Sequence, residues 1–199
     1  MVKDVYYTIE APTQGVYKEK GSKFLSFAFP VVNTEEVKIH LEALRKEYFD
    51  ARHHCYAYIL DPEQKIYRMN DDGEPSSTAG KPIYGQLLSY GLTQVLVVVV
   101  RYFGGTKLGT SGLLQAYKTA TEEALKAASI IEKNVQKSFR VEFSYPQIHS
   151  VMKILKEENL SILSPNFGDN CTLIFSVRLR DIAKICKKLQ EAEVVVSEC

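Results

Sequence analysis

Val95-Leu96-Val97-Val98-Val99-Val100-Arg101-Tyr102-Phe103-Gly104-Gly105-Thr106-Lys107-Leu108-Gly109-Thr110-Ser111-Gly112 reads as a strand that empties into a glycine-rich loop and then into a helix. The apolar run from Val95 to Val100 does not alternate, so the strand is buried on both faces, the pattern of a central strand. Beyond the loop, Leu113, Ala116, Tyr117, Ala120, Ala124, Ala128 and Ile131 fall on one side at helical spacing. That stripe predicts a helix over 110–131. Upstream, Ser22 to Val32 is an aromatic-rich strand that stops at or soon after Pro30. Thr34 is the expected N-cap of the next helix, with Glu35 and Glu36 at the positive end of its dipole and Val37, Leu41, Leu44 and Tyr48 along its apolar face. Cys55–Leu60 and Lys65–Met69 read as strands joined by a turn at Asp61-Pro62. Strands and helices alternate, which makes the chain α+β.

After Glu132 the pattern restarts on a smaller scale. Gln136–Tyr145 is a strand; Ile148, Val151, Met152 and Leu155 form a helical stripe; Leu160–Leu163 and Thr172–Leu179 are strands. Ile182, Ile185, Cys186 and Leu189 repeat the stripe, and Val194–Ser197 closes as a strand. The order β-α-β-β-α-β is the ferredoxin-like split arrangement. A domain boundary is therefore expected near residue 135, dividing the chain into 1–134 and 135–199.

Composition narrows the function classes. Of 199 residues, 45% are hydrophobic and 25% charged, which excludes a disordered or fibrous chain. No apolar run approaches the ~18 residues of a membrane span, and no secretory signal follows Met1, so a soluble cytoplasmic protein is expected. The formal net charge of +1 is not a broad cationic surface, so any nucleic-acid contact needs a local patch. Cys55, Cys171, Cys186 and Cys199 lack C-x-x-C spacing and lie among apolar neighbours, which predicts buried thiols rather than zinc.

Three segments carry candidate chemistry. The loop from Arg101 to Gly112 is a candidate anion site: Gly104, Gly105 and Gly109 let backbone approach a phosphate, and the helix start offers free amides. Arg101 and Lys107 would supply charge, and Thr110 or Ser111 a hydroxyl. It is not a Walker A loop, because Lys107 precedes Gly109 rather than following the last glycine. The alternative is a tight strand-to-helix turn whose glycines serve packing alone. A second polar loop holds Asp71, Asp72, Glu74, Ser76, Ser77, Thr78 and Lys81. It reads either as a turn followed by a capped helix start or as a ligand or metal loop; EF-hand spacing is absent. The third segment is Ala51-Arg52-His53-His54-Cys55-Tyr56. Adjacent histidines on a strand point to opposite faces, so at most one reaches a shared site; Arg52 and His54 join the anion-binding candidates. No G-x-S-x-G elbow or H-E-x-x-H pair occurs, and neither a metal nor a cofactor is expected.

Taken together, Ala51–Tyr58, Asp71-Asp72-Gly73-Glu74-Pro75 through Thr78-Ala79-Gly80-Lys81-Pro82, and Val100–Gly105 through Lys107-Leu108-Gly109 resemble the IMPACT family, in its bacterial YigZ-type branch. The resemblance runs along essentially the whole chain. It implies an N-terminal domain similar to the second domain of ribosomal protein S5. It also implies a C-terminal domain similar to the last domain of elongation factor G, the same ferredoxin-like topology that the spacing predicts. Family members commonly carry glycine where this chain has Ser77 and Ser111. Eukaryotic members regulate translation, but with an added N-terminal RWD domain that this sequence lacks, so that mechanism is not carried over.

Three functions follow as expectations. The first is an anion-binding protein, associated with RNA or the ribosome and acting in translation or its regulation, with Tyr56, Tyr58, Tyr102 and Phe103 as candidate stacking faces. The second is an enzyme acting on a small phosphate ester or nucleotide, with Asp71, Asp72 or Glu74 as metal ligand or base and His54 as proton carrier. The third is a protein-interaction adaptor.

Overall fold

A computed structural model describes residues 4–168 and 171–199. By contacts the chain divides into two units, Tyr6–Lys133 and a second comprising Asn134–Cys199 with the described residues up to Val5.

The first unit is built on a five-stranded antiparallel sheet. Its strands are β2 (Thr13–Glu19), β3 (Ser22–Pro30), β4 (His53–Ile59), β5 (Tyr67–Asn70) and β6 (Val95–Tyr102), in the spatial order β2-β3-β6-β4-β5. The central strand is β6, as its unbroken apolar run demands. Val95, Val97 and Val99 join one core with α2 (Gly80–Ser89) and α3 (Gly109–Lys126). Leu96, Val98 and Val100 join another with Val37, Leu41 and Leu44 of α1 (Thr34–Glu47). A strand covered on both sides gains nothing from a polar face, which is why alternation is missing. A short pair, β1 (Val5–Ile9) with β7 (Ile130–Asn134), forms a separate two-stranded sheet.

Two helix ends differ from expectation. The N-cap of α1 is Asn33, whose Oδ1 accepts the Glu36 amide at 2.8 Å; Thr34 is the first helical residue. The helix α3 stops at Lys126 rather than Ile131, and Ile131 belongs to β7. Of the four cysteines, Cys55 and Cys171 are buried, Cys186 is half-buried and Cys199 is exposed. The buried-thiol expectation is thus corrected for Cys199.

The second unit contains β8 (Gln136–Phe143), α4 (Ile148–Glu157), β9 (Ser161–Phe167), β10 (Cys171–Arg178), α5 (Ile182–Glu191) and β11 (Val195–Glu198). Its sheet runs β11-β8-β10-β9, all antiparallel, which is the ferredoxin-like order. Phe139, Val141, Leu173 and Phe175 form its core with Val151, Leu155, Ile185 and Leu189 from the two helical stripes. Among the described residues no helix is long and apolar enough to cross a membrane.

Candidate functional site

The start of β4, the end of β6 and the loop after β5 meet at one end of the first unit's sheet. In the pairing of β4 with β6, His53 lies opposite Arg101. The loop is held by its own carboxylates. Asp71 accepts the amides of Ser77 (2.8 Å), Ala79 (3.0 Å) and Gly80 (2.8 Å), and so supplies from upstream the cap that α2 lacks locally. Asp72 accepts the His54 amide at 2.7 Å and Arg45 Nη2 at 3.3 Å. Glu74 Oε1 lies 2.5 Å from Arg101 Nη1 and accepts the Tyr117 hydroxyl at 2.8 Å. All three carboxylates of the loop are therefore engaged by donors of the chain itself. Each of the three, whatever chemistry the sequence left open for it, neutralises or caps a neighbour.

Arg101 is only 6% exposed, so its charge needs a buried counter-ion, and Glu74 is that ion. Phe24 and Phe103 flank the guanidinium at 5.4 and 5.7 Å from their ring centroids. Below it, Cys55 Sγ donates to the Asp71 carbonyl at 2.9 Å and approaches the Tyr117 hydroxyl at 3.3 Å. Burial pushes the Cys55 thiol and the Tyr117 phenol upward, so both remain protonated.

The sequence expectation that Arg101 and Lys107 act as a pair is not met. Arg101 turns inward to Glu74, while Lys107 is exposed and lines neither of the two clefts at this end. His54 also needs correction. Strand parity sends it to the α1 side, where it is buried, and the histidine that reaches a cleft is His53. Tyr56 and Tyr58 are core residues, Tyr102 is half-buried and Phe103 is exposed. Gly104 serves packing, its amide donating to Ser22 Oγ at 3.2 Å, whereas Gly105 and Gly109 adopt φ of 87° and 73°. Ser77, where the resemblance implies glycine, also lies in the left-handed region at φ 63°; Ser111 is helical.

The first cleft, about 560 Å³, joins the two motifs that the sequence kept apart. Ser76, Ser77, Thr78 and Lys81 face Thr110, Ser111 and Lys118 across it. Its lining has five hydroxyl side chains, two ammonium groups and no carboxylate. No side chain caps α3, so its first-turn amides have no side-chain acceptor, and Thr110 and Ser111 of that turn line the cleft. Lys118 was missed from sequence, although 111, 114, 115 and 118 repeat at the spacing of one helix face.

The second cleft, about 550 Å³, is lined by Asp50, Ala51, Arg52, His53, Arg101, Tyr102 and Phe103. His53 Nδ1 lies 2.8 Å from the Asp72 carbonyl, which can only accept, so this nitrogen carries the proton. The Tyr102 hydroxyl donates to Asp50 at 2.7 Å, a bond that pushes the phenol up to about 12.

Burial holds the His54 imidazole below its ordinary value, against the pull of the Asp72 carboxylate 4.0 Å away and reinforced by Arg45. The folded value lies below the unfolded 6.5, so the unfolded chain binds the extra proton more readily. Stability from neutral His54 is then full above about pH 6.5 and is lost as pH falls through the folded value. Thermal melts from pH 8 to 5 should show this decline, and His54→Gln should flatten it. An unchanged profile in the variant would assign the slope elsewhere.

The Impact N-terminal domain family matches residues 20–125, and a domain of unknown function, DUF1949, matches residues 141–192. The chain is 32% identical over 184 residues to the IMPACT family member YigZ of Escherichia coli, covering 91% of this chain and 90% of that one. It is 40% identical over 141 residues to an IMPACT family member of Thermus thermophilus, covering 70% and 74% of the two chains. A crystal structure described as that of a hypothetical protein superposes with a TM-score of 0.80 at 28% identity, covering 98% of this chain and 97% of that one.

Proposed function

The chain belongs to the IMPACT family, and on that premise we propose that it is an anion-binding protein, associated with RNA or the ribosome, that acts in the cytoplasm in translation or its regulation. One observation carries the reading: the cleft between the loop after β5 and the start of α3 is lined by two lysines and five hydroxyl residues, with no carboxylate among the lining and no side chain capping the helix start. Phosphate oxygens are acceptors only, and Lys81, Lys118 and the hydroxyls of Ser76, Ser77, Thr110 and Ser111 are donors, while the Thr78 hydroxyl is committed to the Pro75 carbonyl. Residues 1–134 supply this cleft. Residues 135–199 are read as the ferredoxin-like companion that resembles the last domain of elongation factor G. The translational role rests on the family resemblance alone; the anion site is supported by this chain's own residues.

Filter retention of a single-stranded RNA oligonucleotide over a salt series tests the reading. A shallow dependence is expected, with log K falling by about 1.4 per decade of salt for two lysine–phosphate contacts. Lys81→Ala and Lys118→Ala should each reduce that slope by about 0.7. Ser111→Asp places a carboxylate where the anion would sit and should abolish retention; acidic residues favour a helix start, so lost folding would not be the cause. No retention at low salt, or retention indifferent to all three variants, overturns the proposal.

A further inference from the structure

We propose that the tip of the β2–β3 hairpin is a second docking surface for single-stranded RNA, which runs from the first cleft over the loop after β6 onto Lys18, Lys20 and Lys23. This inference rests on the RNA reading and extends it to lysines that line neither cleft. The hairpin carries the argument because its charges are set against its own stability. Lys18 lies directly opposite Lys23 in the β2–β3 register, so two ammonium groups share one face on neighbouring strands, an arrangement that destabilises a sheet. Between the strands the chain turns through Lys20 and Gly21, at φ of 45° and 80°. Such a two-residue turn favours Asn or Asp before its glycine, and a lysine there again goes against local preference. All three lysines are exposed, and among the described residues none belongs to an ion pair. Glu19, the one carboxylate of the tip, alternates to the other face and accepts the Tyr17 hydroxyl at 2.8 Å. A polyanion laid on this face relieves the lysine–lysine repulsion.

The hairpin tip is tied to the first cleft. Gly104 packs against Gly21, and its amide donates to Ser22 Oγ at 3.2 Å. The loop from Gly104 to Gly109 therefore begins on the hairpin and ends at Thr110 and Ser111 in the cleft, a span of at most about 18 Å. Lys107 lies on this loop, exposed and outside both clefts, and supplies a cation between the two ends. Two aromatic residues favour a nucleic acid over an acidic peptide. Tyr102 stands opposite Lys23 in the β3–β6 register, and Phe103, next in the chain, is 56% exposed. Aromatic faces beside ammonium groups receive bases together with their phosphates, and a carboxylate side chain makes no use of them.

Stability and binding should move in opposite directions, which a merely structural hairpin would not show. Lys18→Glu sets opposite charges face to face across the strands and should raise the melting midpoint by about 1–3 °C. The same variant should weaken retention of a uridine dodecanucleotide by roughly ten-fold. Lys20→Asn restores the favoured turn pair, so it too should raise the midpoint while reducing the salt slope by about 0.7. Lys107→Gln should reduce the slope by about the same amount. A tetranucleotide, which occupies the cleft alone, should keep a slope of about 1.4 and ignore all three variants; the dodecanucleotide should show about 4. Dodecanucleotide retention that falls with Lys81→Ala and Lys118→Ala but ignores the hairpin variants overturns this inference and leaves the cleft reading standing. The reverse pattern overturns the cleft reading and leaves the hairpin as the RNA surface. No retention of either oligomer at low salt removes both. Displacement of the dodecanucleotide by polyglutamate of equal charge, as effective as displacement by unlabelled RNA, overturns the assignment to RNA.

Discussion

Glu74→Ala is expected to lower the stability of the protein by about 3–5 kcal/mol, because it leaves the Arg101 guanidinium buried without its counter-charge. The side chains are 4% and 7% exposed, so water does little to screen either the pair or the loss of one partner. The same carboxylate oxygen accepts the Tyr117 hydroxyl, which would be orphaned at the same time. Urea unfolding at neutral pH measures the effect. Glu74→Gln should cost less, since it keeps an acceptor for Tyr117 while losing the ion pair. Combining Glu74→Ala with Arg101→Met should recover much of the loss, because removing both charges removes the desolvation penalty together with the attraction. A single-variant loss below about 1 kcal/mol would place the pair among solvent-screened surface bridges and contradict its burial.

That pair also shows where reading the sequence stops. The unbroken Val95–Val100 run makes β6 central without any tertiary information, because only a strand covered on both faces can be apolar at every position. The stripes of α4 and α5 were as legible, since four apolar residues at i, i+3, i+4 and i+7 leave one way for a short helix to lie on a sheet. The strand Thr13–Glu19 was not. It mixes Gln14, Lys18 and Glu19 with a glycine; it pairs with β3, and Gly15 lets the backbone of α3 come close. The extension of α3 to Ile131 failed for a different reason. Ala128 and Ile131 keep the helical stripe going by coincidence, while the chain has already turned at Ala127. In the site, the loops' order and their glycines were readable, but not the choice of partners. Nothing local distinguishes Glu74 from Asp72, and only the fold decides that Glu74 reaches Arg101 while Lys107 stays in solvent. The parity of β4 was readable in principle. Which of His53 and His54 faces the cleft follows once Cys55, Ala57 and Ile59 are known to face α2 and α3.

Gly104→Ala is expected to be the most damaging conservative change in the loop. A Cβ on Gly104 would stand 1.9 Å from the Gly21 carbonyl carbon and 2.2 Å from the Ser22 amide nitrogen. These are backbone atoms of the β2–β3 turn, which cannot swing aside as a flexible side chain would. Gly21, at φ 80°, has the reciprocal problem, since its own Cβ would meet the Gly104 carbonyl oxygen at 2.8 Å. The end of β6 and the β2–β3 turn are thus packed backbone to backbone, and the contact fixes where the chain leaves the sheet for α3. Forcing them apart should cost about 3 kcal/mol, the upper end for overpacked sites. Gly105→Ala meets open space and only a positive φ, and should cost about 1 kcal/mol. The functional consequence separates the two further. Thr110 and Ser111 sit on the first turn of α3, so displacing the end of β6 shifts them against Ser76–Thr78 and Lys81. RNA retention by Gly104→Ala should therefore fall even at a temperature where the variant is folded, while Gly105→Ala retains binding. Equal and mild effects of the two variants on both unfolding and retention would show that the turn contact does not set the position of the helix start.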